Sequence, residues 1–142
     1  MEFSLEVRRQ NAILPKRQNG QSVNSQGLPA IARDVWEELL ANALIYRNYF
    51  LLAPLRVLFF DDRIEITSPG ALPNHLTVPK IRLGLSSFRN PVLGSFAASG
   101  LLTYRGLGTG IRRALRLCPQ LEFRNDIESQ QFTVIAPLPS EN

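Results

Sequence analysis

The stretch Leu55-Arg-Val-Leu-Phe-Phe60, Asp61-Asp62, Arg63-Ile-Glu-Ile-Thr67, Ser68-Pro69-Gly70-Ala71-Leu72-Pro73 decides the fold class. Its two apolar-rich runs read as strands, and the acidic pair between them reads as the turn of an antiparallel hairpin. The second run alternates, so Ile64 and Ile66 are expected to point inward and Arg63, Glu65 and Thr67 outward. Ser68-Pro69-Gly70 is expected to stop that strand, because proline removes a donor and glycine permits positive φ. A hairpin with one apolar face needs a second layer to cover it.

The covering layer is encoded just upstream. Ile31, Val35, Leu39, Asn42 and Tyr46 recur at helical spacing within residues 29–48, and Trp36, Leu40, Ala43 and Leu44 widen the apolar face. Pro29 is placed in the first turn, where its missing N–H costs nothing. Helix and hairpin together predict an α+β fold: a two-layer α/β sandwich with a mostly antiparallel sheet and its helices on one face. Further along, 74–90 reads as a loop-rich stretch and 91–99 as a helix beginning at Pro91. Gly106-Leu107-Gly108-Thr109-Gly110 reads as a glycine loop feeding a helix that Pro119 ends. Residues 121–124 and 131–136 read as closing strands around an Asn125-Asp126 turn. The division expected is an N-terminal arm or linker over 1–28 with a short strand at 3–7, one folded domain over 29–136, and a frayed tail over 137–142.

Composition bounds the function. The 142 residues suffice for one core. That length, with no G-x-x-x-x-G-K-[ST] run, excludes a self-sufficient helicase motor. A single cysteine, Cys118, excludes an internal disulfide framework and a Cys-rich zinc site. The single histidine, His75, lies in a Pro-rich loop and reads as a loop residue rather than a catalytic base. Apolar runs are too short to span a membrane and Met1-Glu2-Phe3-Ser4 does not resemble a secretory leader, so a cytoplasmic setting is expected. The net charge of +4 is carried almost wholly by arginine, since only Lys16 and Lys80 are lysine. Arginine suits phosphate and carboxylate partners, although a solvated basic surface explains the charge equally well.

Three groups of residues could carry chemistry. Glu38 and Asn42, four apart on the first helix, put a carboxylate and an amide into an apolar stripe. Asn42 offers an oxygen suited to Mg²⁺, and Glu38 could deprotonate a water near a phosphate; equally, Glu38 sits at the helix edge and Asn42 bonds nearby backbone. Gly106, Gly108 and Gly110 ahead of a helix form an anion site or merely a helix-entry turn, with Arg112 and Arg113 close by. Arg89, in Arg89-Asn90-Pro91, contacts a phosphate or caps the helix that follows.

Taken in order, these pieces resemble a known family. Glu38-Leu-Leu-Ala-Asn42-Ala43-Leu-Ile-Tyr46-Arg47-Asn48-Tyr49 is similar to its E-A-L-x-N-A-L-x-H-R-D-Y helix. Phe60-Asp61-Asp62-Arg63-Ile64-Glu65-Ile66-Thr67-Ser68-Pro69-Gly70-Ala71-Leu72-Pro73 is similar to its F-D-D-R-I-E-I-x-S-P-G-G-L-P hairpin. Ser87-Phe88-Arg89-Asn90-Pro91 and Gly106-Leu107-Gly108-Thr109-Gly110-Ile111-Arg112-Arg113 match its later motifs. The family is the RecG-related ATP-binding C-terminal domain of transcriptional regulators, whose fold is similar to that of the GHKL ATPases. The resemblance implies ATP and Mg²⁺ as cofactors. It implies Glu38 as the water-activating residue, Asn42 as the Mg²⁺ ligand and Ser68-Pro69-Gly70 near adenine. Residues 74–90 become a mobile lid, and Arg89, Gly106, Gly108, Thr109, Gly110 and Arg112 face the nucleotide.

Some positions depart from the pattern. Tyr46 replaces the motif's His, Asn48 its Asp, and Ser68 stands where the first glycine box normally carries Asp. The function expected is an ATP-binding switch, weakly hydrolytic at most, in a transcriptional regulator. DNA would be reached through a neighbouring domain or the basic surface, and a second subunit, as in a homodimer, could read the state of the switch. The alternative is a non-catalytic DNA- or protein-binding module with a degenerate nucleotide site.

Overall fold

The computed structural model describes residues 16–17, 28–29, 31–87, 89–99 and 110–138. The elements are β1 (Lys16–Arg17), β2 (Leu28–Pro29), α1 (Arg33–Tyr46), β3 (Arg56–Phe59), β4 (Arg63–Pro69), α2 (Val78–Arg82), α3 (Pro91–Ala98), α4 (Gly110–Leu117), β5 (Glu122–Asp126) and β6 (Gln131–Pro137). The expected strand at 3–7 lies outside the described residues, as do positions 106–109 of the glycine loop.

Four strands form one antiparallel sheet in the order β3-β4-β6-β5. The α+β, two-layer character expected from the helix and hairpin is what the chain adopts. Ile64 and Ile66 of β4 and Val134 and Ala136 of β6 face Val35, Leu39 and Ala43 of α1, with Ala114 of α4 and Leu121 completing the core. Val35, Leu39, Ile64 and Leu121 are each almost fully buried. Burial of one such side chain stabilises the fold by about 1.5–3 kcal/mol. The opposite face carries Arg63, Glu65, Glu122 and Arg124, which line a shallow charged depression. Arg63 bonds Glu65 at 2.7 Å and Asp62 at 2.9 Å there, which holds its guanidinium above the usual arginine range.

Several local expectations are corrected. Pro29 is not in the first helical turn: it pairs with Lys16 in the short β1–β2 ladder, and α1 begins four residues later at Arg33 after Ala32. Ser68-Pro69 does not stop β4, which runs on through both residues opposite Phe132 and Gln131. Proline is tolerated there because it is the last residue of the strand, and its carbonyl accepts from Asn48 N at 2.8 Å. Thr67 keeps the outward side of β4 but is buried there, with its hydroxyl 3.0 Å from that of Thr133 on the neighbouring strand. The closing turn is Ile127–Gln130 and not Asn125-Asp126, which belong to β5; Gln130 takes the positive φ of 52° that closes it. The stretch 74–90 contains α2, started by the Thr77 hydroxyl accepting from Lys80 N and ended at Gly84, whose φ is 90°.

Candidate functional site

A pocket opens between α1 and the inner face of the sheet, roofed by the α2 region. Leu39, Asn42, Ala43 and Tyr46 of α1 form one wall, Ile66, Ser68 and Val134 the floor, and Gly70–Pro73 one end. Leu76, Ile81, Ser86 and Arg89 cover it, and Gly110 and Ile111 at the start of α4 close the far side. The empty space between these walls is about 830 Å³ with the solvent at its mouth included, and the sheltered part is about 80 Å³. The lining is mainly apolar with a few polar groups at fixed points, the usual make-up of a small-molecule site.

Beside this pocket, α1 and α4 are joined through Glu38. Its Oε1 accepts from Asn42 Nδ2 at 2.6 Å, and its Oε2 accepts from Arg113 Nη2 at 2.6 Å. The Asn42 amide also donates to the Glu38 carbonyl at 2.8 Å, so both its hydrogens are spent on Glu38 and its oxygen is the atom that remains for a ligand. A Cβ on Gly110 would overlap the Glu38 carboxylate. Glycine is therefore required at this position by the close approach of α4 to Glu38. The sequence names Glu38 with Asn42 and Gly110 with Arg113 as two separate groups; the fold brings all four together. Asn42 and Gly110 line the pocket, whereas Glu38 and Arg113 are not among the residues that line it.

At the other end of the pocket, Ser68 is buried and its Oγ donates to the Ala43 carbonyl at 3.0 Å. The hydroxyl hydrogen is thereby committed, which leaves the oxygen's lone pairs as what Ser68 can offer a ligand. Gly70 has φ of 104°, and a Cβ there would lie 2.7 Å from that of Asn48. Arg89 donates to the Ala71 carbonyl and fixes the loop after β4. Its neighbour Asn90, which no sequence signal singled out as a cap, donates to the carbonyls of Ile45 at 2.6 Å and Arg47 at 2.8 Å. It thus satisfies the C-terminal end of α1 from a segment more than forty residues away. Burial pushes the Tyr46 phenol up; a bond with Ser86 opposes this, and the Glu38 charge adds to the rise. At neutral pH Tyr46 is therefore a neutral group on the pocket wall.

The remaining expected site residues are placed less centrally. Arg112 is exposed on α4, and Gly106, Gly108 and Thr109 lie outside the described residues. His75 is exposed in a turn, and burial pushes the Cys118 thiol up, which disfavours a thiolate nucleophile. Among the described residues no group of three or more His, Cys, Asp or Glu could hold a metal, and no helix is long and apolar enough to cross a membrane. An all-protein metal cage is absent among these residues, yet Mg²⁺ bound with a polyphosphate needs only one or two protein oxygens. The Asn42 oxygen fits that share. The apolar cleft fits a flat base, and the start of α4 with its arginines fits phosphate oxygens.

Comparison with known proteins agrees with this geometry. Residues 53–135 match the family described as "Putative ATP-dependent DNA helicase recG C-terminal". The match covers the hairpin, the pocket roof, α4 and the closing strands; α1, with Glu38 and Asn42, precedes it. Among solved structures, the crystal structure of the DIP2311 protein from Corynebacterium diphtheriae is similar at a TM-score of 0.76 and 20% identity. The similarity covers 92% of this chain and 27% of that one, and at this identity it concerns the fold alone. No curated protein matches.

Proposed function

The chain belongs to the family of recG C-terminal, ATPase-like domains, and on that premise we propose that it is a nucleotide-binding switch that takes Mg·ATP into the pocket beneath α1. The observation that carries this reading is one apolar cleft whose lining includes the polar or bare-backbone positions Asn42, Ser68, Gly70 and Gly110. Leu39, Ala43, Ile66 and Val134 would hold the base, and the lone pairs of Ser68 would accept from an exocyclic amino group. A hydroxyl acceptor is weaker than a carboxylate, so modest affinity is expected. Gly110 and Arg112 would meet the phosphates, with Gly106, Gly108 and Thr109 proposed beside them. Mg²⁺, when bound, offsets the phosphate charge. Asn42 would hold it through its amide oxygen, an orientation fixed by the two bonds from the same amide's nitrogen to Glu38. Residues 74–90 act as the lid, with Ile81 and Ser86 on its underside, and a neighbouring domain or second subunit, DNA-bound or not, reads the lid's state.

A second reading is favoured by one observation: Glu38 is held by Asn42 and Arg113 and does not face the pocket. In that arrangement its carboxylate cannot take a proton from a water in the cleft. The domain would then bind nucleotide and signal without turning it over. Calorimetry with Mg·ATP tests the main reading. Asn42→Ala is expected to weaken binding by about tenfold or more, the scale of one contact to a charged group, and GTP is expected to bind less well than ATP. Absence of heat at millimolar Mg·ATP would sink the proposal. Phosphate release by the wild type that Glu38→Ala abolishes without loss of binding would rule out the second reading.

A further inference from the structure

Glu38 has only 3% of its side chain exposed, whereas Arg113 has 39%. The Glu38 carboxylate is therefore sealed in, and the guanidinium that neutralises it is reachable from solvent. Arg113 lies one helical turn beyond Gly110, at the end of α4 where backbone N–H groups and the helix dipole favour an anion. Glu38 is its ion-pair partner among the described residues, through a single nitrogen of a fork that carries five donors. A phosphate chain laid along the start of α4 would come near a cation already committed to a buried carboxylate.

We propose that Arg113 is shared between Glu38 and a bound polyphosphate: paired with Glu38 it clamps the start of α4 onto α1, and turned to the phosphate oxygens it releases that clamp. The inference rests on the nucleotide reading above and adds how occupancy reaches the rest of the domain. Glu38 and the phosphates compete for one guanidinium. In this exchange binding breaks the link between α1 and α4, and Glu38 becomes free to meet water only when nucleotide is present. Arg113 is a positioning residue in this scheme, acting on α4 and on any hydrolysis through Glu38. Gly110 makes the exchange possible, because the carboxylate and the helix end share a space that a Cβ would fill.

The test uses the full chain with Mg·ATP as the probe. Nuclear Overhauser contacts between the Arg113 guanidinium and the Glu38 side chain should be present in the free protein and lost at saturation. Glu38→Gln, which removes the competing charge at nearly unchanged shape, should tighten Mg·ATP by about tenfold, the scale of an ordinary coupling between linked sites. A purely structural Glu38 predicts the opposite sign, because loss of the clamp would then spoil the pocket. Saturable binding with the Arg113–Glu38 contact intact overturns the inference while leaving the nucleotide reading standing. Absence of Mg·ATP binding overturns both. Should Glu38→Gln fail to fold, the contact measurement on the unmodified chain still decides.

Discussion

Gly110 carries two demands at once. It begins α4, and its Cα faces the Glu38 carboxylate so closely that a methyl group has no place. The far side of that contact is no freely swinging chain end, because Asn42 and Arg113 hold both oxygens. Gly110→Ala is therefore expected to destabilise the protein by about 1–3 kcal/mol, as overpacking does, and to weaken nucleotide binding with it. Urea unfolding and calorimetry on the same variant check both. Gly70 differs in cause: at φ of 104° an alanine is strained whatever the space. At this scale the sequence shows the residues but only half of their relations. Glu38 and Asn42 are paired by a spacing of four, which any reader of a helix can see. That Arg113 and Gly110 meet Glu38 from across the molecule depends on how α4 packs on α1, and no local pattern encodes that.

At the scale of elements, α1 has no left-handed residue at its C-terminal end and leaves at Arg47 in extended geometry. Asn90 closes it instead, and the same short segment places Arg89 on the pocket wall. Asn90→Ala should cost about 1–3 kcal/mol, the range for stranding buried polar partners, and should loosen the pocket as well as the helix. Hydrogen exchange at Ile45 to Asn48 would report it. The β5–β6 hairpin offers a pH-dependent case. Asp126 accepts from the backbone N–H and the hydroxyl of Ser129, which hold its carboxyl below the usual range. Its contribution is then complete above the unfolded value of about 3.9 and is lost as pH falls through the lower folded value. Asp126→Ala should be less stable than wild type at neutral pH, and the two should converge in strong acid, as chemical denaturation at several pH values would show. Periodicity made α1, β3, β4 and β6 legible. It failed at Pro29 and Pro69, where proline was read as a local instruction although strand pairing fixed both positions.

For the whole molecule, the sandwich is asymmetric. The sheet presents apolar side chains to α1 and α4 and a charged face to solvent, and the pocket lies where the helical layer parts around Asn42 and Gly110. A two-layer fold of this kind follows from one alternating strand beside one amphipathic helix, so its class was readable from about forty residues. The cleft itself was not readable, since it is bounded by α1, two strands, the α2 region and α4, whose relative placement is tertiary. The matched family residues, 53–135, span most of the cleft but leave out Asn42 and Glu38, so the account depends on α1 completing the site. An amide chemical-shift map of the full chain titrated with Mg·ATP tests that dependence most directly. The account predicts saturable shifts that converge on Asn42, Ser68, Gly70 and Gly110 and disappear in Asn42→Ala. Shifts confined to exposed arginines such as Arg33, Arg56 and Arg124, or no shifts at millimolar nucleotide, would contradict it.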